Sequence, residues 1–268
     1  MKRIGPPLKV ISLGAGVQSS TMFLMSCSGD LPKADVAVFS DTQGEPPEVY
    51  EQLEYLTARG KEAGIKVQIA TFGNLLEDFM AFVEGKRKRA DMIPLYAKDR
   101  VTGESKGLLS RQCTREYKIY PVRRTARAEM KAQGKRWVHM WIGMSTDEPD
   151  RIKPSPVQYV EHVYPLIDRG MSRTDCTQWC ISHNHPTPPR SACFYCPFHS
   201  GSEWRRIREA NPDLFARAVE IDKKIRNFGN VKHDLYLHRL RLPLDEAIEL
   251  DDGGRDEFGN ECEGMCGV

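Results

Sequence analysis

The fold is decided by the stretch Val10-Ile11-Ser12-Leu13-Gly14-Ala15-Gly16-Val17-Gln18-Ser19-Ser20-Thr21, where an apolar run enters a turn of small residues and then a predicted helix. Glycines let the backbone approach an anion, and the amides of a helix N-terminus favour negative charge. The turn is not a Walker A loop, and it lacks the Gly-x-Gly-x-x-Gly spacing. It therefore predicts either a phosphate site or a tight strand-to-helix connection without a ligand.

Apolar periodicity extends the alternation of strand and helix to residue 145. Strands are predicted over 9–13, 34–40, 66–72 and 136–145, and helices over 46–63, 74–83 and 120–132. This order implies an α/β fold with a doubly wound, mostly parallel sheet, whose ligands bind at the carboxyl ends of the strands. We expect a nucleotide-binding domain over 1–153 and a helical, cysteine-containing region over 154–268 packed on it. The polar segment 91–112 predicts a long loop.

The composition is that of a globular protein, with 40% hydrophobic and 28% charged residues among 268. No apolar run approaches the roughly 20 residues that span a bilayer, and the N-terminal residues lack the apolar segment of a signal peptide. We therefore expect a cytoplasmic protein with no membrane partner. The net charge is only +2, but cations cluster at 86–89 and over 123–136. These patches indicate either a DNA or RNA partner or two solvated faces.

Eight cysteines without an export signal favour metal binding or sulfur chemistry over disulfides. Cys193 and Cys196 form a C-x2-C pair, a spacing that lets two thiolates reach one metal ion or cluster. Cys113 and Cys176 are predicted to complete the site, with Cys180 competing for the last position. Four thiolates suit either a [4Fe-4S] cluster or zinc, and the spacing does not separate the two.

The other cysteines and the nearby histidines carry weaker signals. Cys262 and Cys266 belong to a C-terminal tail that either carries sulfur or electrons or is a frayed terminus. His183, His185 and His199 lie close to the cysteines in sequence. They receive no role, because a lone histidine more often packs or lies at the surface.

Several blocks together resemble the adenine nucleotide alpha hydrolase superfamily, the PP-loop enzymes. Within it, the chain is similar to phosphoadenosine-phosphosulfate (PAPS) reductases and to the ATP-pyrophosphatase subunit of DNA phosphorothioation systems. Residues 14–20 lie where the family has Ser-Gly-Gly-x-Asp-Ser-Thr: Gly16 and Ser19 match, whereas Gln18 replaces the Asp. Three further blocks are similar to the family's Asp-Thr turn, its Cys-x-x-x-x-Lys-x-x-Pro run and its Gly, Glu-Ser and Arg block, namely 39–48, 113–121 and 143–151.

The resemblance implies an ATP pyrophosphatase that adenylates its substrate for iron-sulfur-dependent sulfur transfer to nucleic acid. ATP or another adenine nucleotide, Mg²⁺ and a sulfur or electron donor protein would take part. One alternative is a PAPS or adenylylsulfate reductase, in which Cys262 would attack sulfur, and another is a non-catalytic, metal-stapled nucleic-acid-binding protein. Lys118 and Arg151 are the expected catalytic phosphate contacts. The residues expected to hold the nucleotide and its magnesium are Ser12, Gly14, Ala15, Gly16, Gln18, Ser19, Ser20, Asp41, Thr42, Gly143, Asp147 and Glu148.

Overall fold

The computed structural model describes residues 4–88, 93–228 and 232–251. The strands are β1 (Leu8–Leu13), β2 (Val36–Asp41), β3 (Lys66–Thr71), β4 (Tyr96–Asp99), β5 (Ser105–Leu108), β6 (Val138–Ile142), β7 (Val160–Val163) and β8 (His233–Tyr236). The helices are α1 (Val17–Ser28), α2 (Pro47–Ala63), α3 (Leu75–Val83), α4 (Tyr120–Ala132), α5 (Pro165–Asp168), α6 (Arg173–Ser182), α7 (Gly201–Ala210), α8 (Pro212–Lys224) and α9 (Leu244–Leu250). A π-helical segment, Thr114–Ile119, precedes α4, and a 3-10 turn, Pro149–Arg151, follows β6.

A parallel sheet of five strands in the order β3-β2-β1-β6-β7 organises the chain. The chain moves outward from β1 to β2 and β3, and then crosses back to place β6 on the other side of β1. The boundary between β1 and β6 is therefore the topological switch point, where a crevice opens at the carboxyl ends of the strands. The predicted doubly wound α/β fold is confirmed.

The two faces of the sheet are both covered, as continuous apolar strands require. Side chains alternate along β1, so that Ile11 and Leu13 pack with the buried residues of α1 and α2. Val10 packs on the opposite face with Val122 of α4. Cys176 and Cys180 of α6 belong to the first of these clusters, on the side of α1.

Local sequence signals set the ends of the main helices. Ser172 and Asp175 form the capping box that begins α6. The Asn74 side chain accepts hydrogen bonds from the backbone amides of Leu76 and Glu77 and so caps α3. Pro46 is the N-cap of α2 and Pro47 its first residue, and the helix ends before Gly64, whose φ of 67° is in the left-handed region that favours glycine.

The predicted loop over 91–112 was wrong in part, because β4 and β5 lie within it. β4 pairs antiparallel with β5 on one side and with β8 on the other. All four residues of β5 are exposed, so no apolar alternation marks it in the sequence. The other partner of β4 is more than 130 residues away along the chain, a pairing that local patterns do not reveal.

A second core lies beside the sheet and joins the chain's middle to its later helices. Phe79 of α3 and Tyr117 of the π-helical segment pack there with Trp204 of α7 and with apolar side chains of α8 and α9. β7 belongs to the main sheet although it lies after residue 153, the predicted boundary between two domains. The division into two domains at that residue stays a prediction. Within the three described ranges, the helices are too short or too polar to cross a bilayer.

Candidate functional site

The glycine turn lies at the switch point, where β1 passes into α1. Ala15 has a φ of 59°, in the left-handed region, so the chain reverses sharply before the helix. The backbone amide of Gly14 donates to Ser19 Oγ at 3.2 Å, and that hydroxyl donates to the carbonyl of Gly16 at 3.4 Å. The structure therefore folds the turn over the first residues of α1, which places backbone amides and a hydroxyl at the carboxyl edge of the sheet.

Gln18 connects this turn to the segment after β6. Its Nε2 donates to Glu148 Oε2 at 2.8 Å and to Ser145 Oγ at 3.2 Å. A carboxylate only accepts, so this contact fixes the orientation of the amide. Oε1 of Gln18 and Oγ of Ser20 are then buried with no hydrogen-bond partner among the described residues. Unsatisfied buried polar atoms are costly, so each of these two calls for a physical explanation.

Carboxylates at the switch point already have protein partners. The Arg151 guanidinium forms an ion pair with Oε1 of Glu148. Oδ2 of Asp147 accepts from the Ser145 hydroxyl at 3.0 Å and from the backbone amide of Arg173 at 2.5 Å. Glu148 and Asp147, both predicted to hold magnesium or ribose, would exchange some of these contacts when a cation binds.

The ends of the neighbouring strands complete the edge. Ser12 pairs in register with Ile142, so Gly143 comes directly beside the glycine turn. After β2, Oδ1 of Asp41 accepts from the backbone amide of Gln43 at 2.7 Å and from the Tyr50 hydroxyl at 2.9 Å. Burial, followed by the negative charge of Asp41, raises the pKa of Tyr50.

A second group of polar residues, which we call the thiol cluster, is buried where β2 meets the C-x2-C segment. It consists of Thr42, Glu45, Lys118, Ser191 and Cys193. Lys118 Nζ and Glu45 Oε1 form an ion pair at 3.1 Å, with side chains only 8% and 1% exposed. Ser191 Oγ donates to Glu45 Oε2 at 3.4 Å, and Cys193 Sγ lies 4.0 Å from Oε1. Thr42 Oγ1 is 3.1 Å from the same sulfur.

The thiol of Cys193 is held in its neutral form. Burial is the main cause that raises its pKa well above the usual value, and the negative charge of Glu45 raises it further. The Lys118 ammonium opposes this shift. Lys118 therefore lies among the cysteines and balances a buried carboxylate. The sequence predicted a phosphate contact for Lys118 and did not predict this ion pair.

The predicted set of four cysteines is not assembled. Cys113, Cys193 and Cys196 line one cavity of about 30 Å³, which has room for a water molecule. Cys176 lies elsewhere, between α6 and α1, where its carbonyl accepts from Thr21 Oγ1 at 3.2 Å. Within the described ranges, no three His, Cys, Asp or Glu side chains are placed to hold a metal ion. The residues as arranged do not fit a four-thiolate site.

Two site residues were missed from the sequence, and one predicted residue is not described. Glu45 lies inside a block quoted for the resemblance, but nothing local marks it as the partner of Lys118. His199 was set aside, yet its Nε2 lies 2.9 Å from the carbonyl of Cys193, and burial lowers its pKa to about 4. Cys262, like Cys266, lies outside the described residues.

Comparisons with known proteins add little to this geometry. No protein-family model matches the chain, and no curated protein sequence matches it. Among solved structures, a phosphoadenylyl-sulfate (PAPS) reductase from Candida auris, in a phosphate complex, is similar at 11% sequence identity and a TM-score of 0.42. The match covers 68% of this chain and 75% of that one. A likeness of this size says nothing about activity.

Proposed function

We propose that the protein is a PP-loop ATP pyrophosphatase that adenylates a nucleic-acid substrate and then transfers sulfur to it. The observation that carries the proposal is the pair of unsatisfied atoms, Gln18 Oε1 and Ser20 Oγ, at the switch point of a doubly wound sheet. A ligand at this position meets a glycine turn and a helix N-terminus, which favour phosphate. A serine hydroxyl donates to a phosphate oxygen, and an amide oxygen accepts from a ribose hydroxyl or a metal-bound water.

The nucleotide half of the reaction needs charge neutralisation. A substrate oxygen attacks the α-phosphorus of ATP, the bond to the β-phosphate oxygen breaks, and pyrophosphate leaves with the excess negative charge. Amides of the glycine turn and the Arg151 guanidinium are the groups of this chain that stabilise that charge. Magnesium would be held by oxygens of Asp41, Asp147 and Glu148 after they exchange present hydrogen bonds.

The sulfur half of the reaction uses the thiol cluster and Cys196. A donor protein supplies sulfur as a persulfide on the more accessible Cys196, and its terminal sulfur displaces AMP from the adenylated carbon. Cys193 then gives its proton to Glu45 and attacks the bridging Cys196 sulfur, which releases the thiolated substrate. The resulting Cys193–Cys196 disulfide needs a dithiol reductant protein to restore the two thiols. No step here passes through a metal.

Iron or zinc at the cysteines is a separate prediction with its own test. The chain is purified without oxygen, and its absorption spectrum, iron, sulfide and zinc contents are measured. About four irons and four sulfides per chain would establish the [4Fe-4S] cluster, and about one zinc would establish the alternative. If the protein contains neither iron nor zinc, Cys113, Cys193 and Cys196 do not hold a metal.

The adenylation proposal is tested by calorimetry and by pyrophosphate release. Reduced protein is titrated with ATP and a non-hydrolysable analogue, and pyrophosphate is then followed with single-stranded DNA and RNA. We expect heat with ATP and pyrophosphate release that requires an acceptor. Zero heat with all nucleotides would overturn the proposal, and nucleic-acid binding without pyrophosphate release would instead favour the non-catalytic alternative.

One observation favours reduction of a sulfonucleotide as the second candidate function. Gln18 is neutral where the resembled family has a carboxylate, so the site has one fewer ligand for magnesium. A sulfonucleotide that binds without a metal suits such a site. Sulfite release from PAPS with a thioredoxin-like donor, lost in Cys262→Ser, would establish this activity over adenylation.

A further inference from the structure

An open cleft with aromatic and charged walls lies beside the thiol cluster. It measures about 310 Å³ and is lined by Phe72, Arg115, Glu116 and Tyr120. Pockets that bind small molecules or parts of larger ones begin at about this volume. Phe72 is 39% and Tyr120 51% exposed, so both rings are accessible from the cleft. Neither the glycine turn nor the thiol cluster explains why Phe72 and Tyr120 are exposed.

The two aromatic rings form a corner and do not stack on each other. Their centroids are 5.8 Å apart and their planes make an angle of 89°. Phe72 is fixed from behind by Tyr117, at 5.1 Å and 79°, and the Tyr117 hydroxyl donates to Asp78 at 2.5 Å. The corner is therefore held rigidly, and a planar ring can enter it and lie against an aromatic wall.

Positive charge surrounds this corner. The Arg124 guanidinium lies over the Tyr120 ring at 5.9 Å and donates to the carbonyl of Thr71 at 3.3 Å. The Arg115 side chain is 66% exposed and pairs with Glu116 at 3.3 Å. Further along α4, Lys131 is exposed, whereas the Arg127 guanidinium lies over the Tyr159 ring at 5.7 Å. The other predicted basic patch, 86–89, differs from this one. Arg87 pairs with Asp78, and Lys86 pairs with Glu84. Arg89 lies outside the described residues.

We propose that this cleft binds an unpaired, amino-bearing base of single-stranded nucleic acid. Aromatic stacking is how proteins hold unpaired bases, and arginines beside the rings contact the adjoining phosphates. Glu116 is mostly buried in the cleft wall, and a carboxylate there accepts from an exocyclic amino group such as that of cytosine. The inference rests on the nucleic-acid acceptor of the proposed function and specifies where that acceptor binds.

The position of the cleft suits a substrate of the neighbouring chemistry. Arg115 and Glu116 belong to the π-helical segment that also carries Lys118 into the thiol cluster. π-helical segments are rare in proteins, and those that occur often lie at functional sites. Ser40 Oγ donates to the carbonyl of Tyr117 at 2.6 Å and ties this segment to the end of β2. A base in the cleft would therefore contact the same helical segment that carries Lys118 of the buried ion pair.

The test measures the anisotropy of labelled single-stranded oligo-dC, oligo-dT and their RNA counterparts. Tyr120→Ala and Phe72→Ala are expected to weaken binding of oligo-dC about 5- to 100-fold. Tyr120→Phe keeps the ring and should retain most of the affinity, and Tyr120→Leu guards against loss of fold. Ile181→Ala removes an equally exposed side chain, 51%, from α6 and should change affinity less than twofold.

Charge and base preference give two further readouts. Arg124→Gln is expected to lower the slope of log affinity against log salt by about 0.7. Arg59→Gln is its matched control, because Arg59 lies over Tyr55 at a similar 5.7 Å on α2. Oligo-dC should bind more tightly than oligo-dT, and Glu116→Leu should remove that difference.

Specific results would overturn the inference. They are no oligonucleotide binding by the native protein, equal affinity in the Tyr120 and Phe72 variants, or equal affinity for oligo-dC and oligo-dT. Loss of ATP heat in the aromatic variants without loss of oligonucleotide affinity would assign the cleft to adenine instead. Oligonucleotide binding is measured without ATP. A native protein that binds oligonucleotide through Tyr120 but gives no heat with ATP would therefore support the cleft and refute the adenylation proposal.

Discussion

The glycine-turn site and the thiol cluster lie at the same edge of one sheet, but they differ in whether their buried polar groups have partners within the protein. At the glycine turn, Gln18 Oε1 and Ser20 Oγ are buried without a partner in the described chain. In the thiol cluster, Lys118 and Ser191 both bond to the Glu45 carboxylate. The first region contains buried polar atoms that the described chain leaves unpaired, whereas the second balances its charge internally.

This difference separates what each region contributes to stability from what it contributes to binding. An unsatisfied buried group destabilises the folded state until a ligand or water supplies its partner. A buried ion pair has already lost the hydration of both charges, so removing one partner exposes the full penalty for the other. Substitutions at the glycine turn should therefore change binding, and substitutions in the thiol cluster should change stability.

The largest effect is expected for the buried ion pair. Lys118→Met leaves Glu45 charged and unpaired, and should lower the free energy of unfolding by about 3–5 kcal/mol. Glu62→Gln breaks the exposed pair Arg59–Glu62 and should cost less than about 1 kcal/mol. Urea denaturation of both variants measures the difference.

The double variant Lys118→Met with Glu45→Gln sharpens the same test. It removes both charges, so it should be more stable than Lys118→Met alone, because no buried charge is then left unpaired. If Lys118→Met costs no more than Glu62→Gln, the two charges are not buried together and the contrast between the regions fails.

The second effect concerns ligand binding at α1. Ser20→Ala removes a buried hydroxyl without a partner, so the free energy of unfolding should stay the same or rise. Affinity for ATP should fall about 10- to 100-fold, the value of a lost hydrogen bond to a charged group. Isothermal titration and urea denaturation measure the two quantities on the same sample.

Ser26→Ala is the matched control in the same helix. Ser26 Oγ donates to the carbonyl of Pro32 at 3.1 Å and accepts from the amide of Ala34 at 2.9 Å. Its loss should therefore cost about 1–3 kcal/mol of stability and leave ATP affinity unchanged. The opposite pattern, a destabilised Ser20→Ala with normal ATP affinity, would mean that the glycine turn is only a structural connection.

The two regions also differ in how far the sequence predicts them. The glycine turn is contiguous, so its residue types and the following helix are visible in a dozen positions. The register of β1 with β6 then follows from the fold class and brings Gly143 beside it. The thiol cluster combines β2, the π-helical segment and the C-x2-C pair, and Glu45 is 73 positions from Lys118. Local sequence patterns span far fewer residues than this, so they do not reveal that Glu45 and Lys118 are partners.

The cysteines show the same limit in another form. The structure brings Cys113 and the C-x2-C pair to one cavity, and a short spacing and a matched block mark them in the sequence. It places Cys176 elsewhere, because distance along the chain says nothing about which face of the sheet α6 covers. α6 packs on α1 through Cys176 and Cys180, and this contact fixes it away from the C-x2-C pair.

The smallest effect expected is a change in the reactivity of one thiol. Because the Glu45 carboxylate raises the pKa of Cys193, Glu45→Gln removes a negative charge and should lower that pKa. The thiolate fraction at a given pH then increases, so alkylation of Cys193 should become faster at every pH between 7 and 10. Mass spectrometry of metal-free protein treated with iodoacetamide between pH 7 and 10 follows Cys193 and Cys196 separately.

Cys27 provides the internal control for this measurement. Burial raises its pKa to about 11, and it lies in α1 among residues that Glu45 does not contact. Its alkylation profile should be the same in the native protein and in Glu45→Gln. An equal shift at Cys27 and Cys193 would indicate general loosening of the fold. A shift confined to Cys193 would locate the charge effect in the thiol cluster, where Glu45 takes the proton in the proposed resolving step.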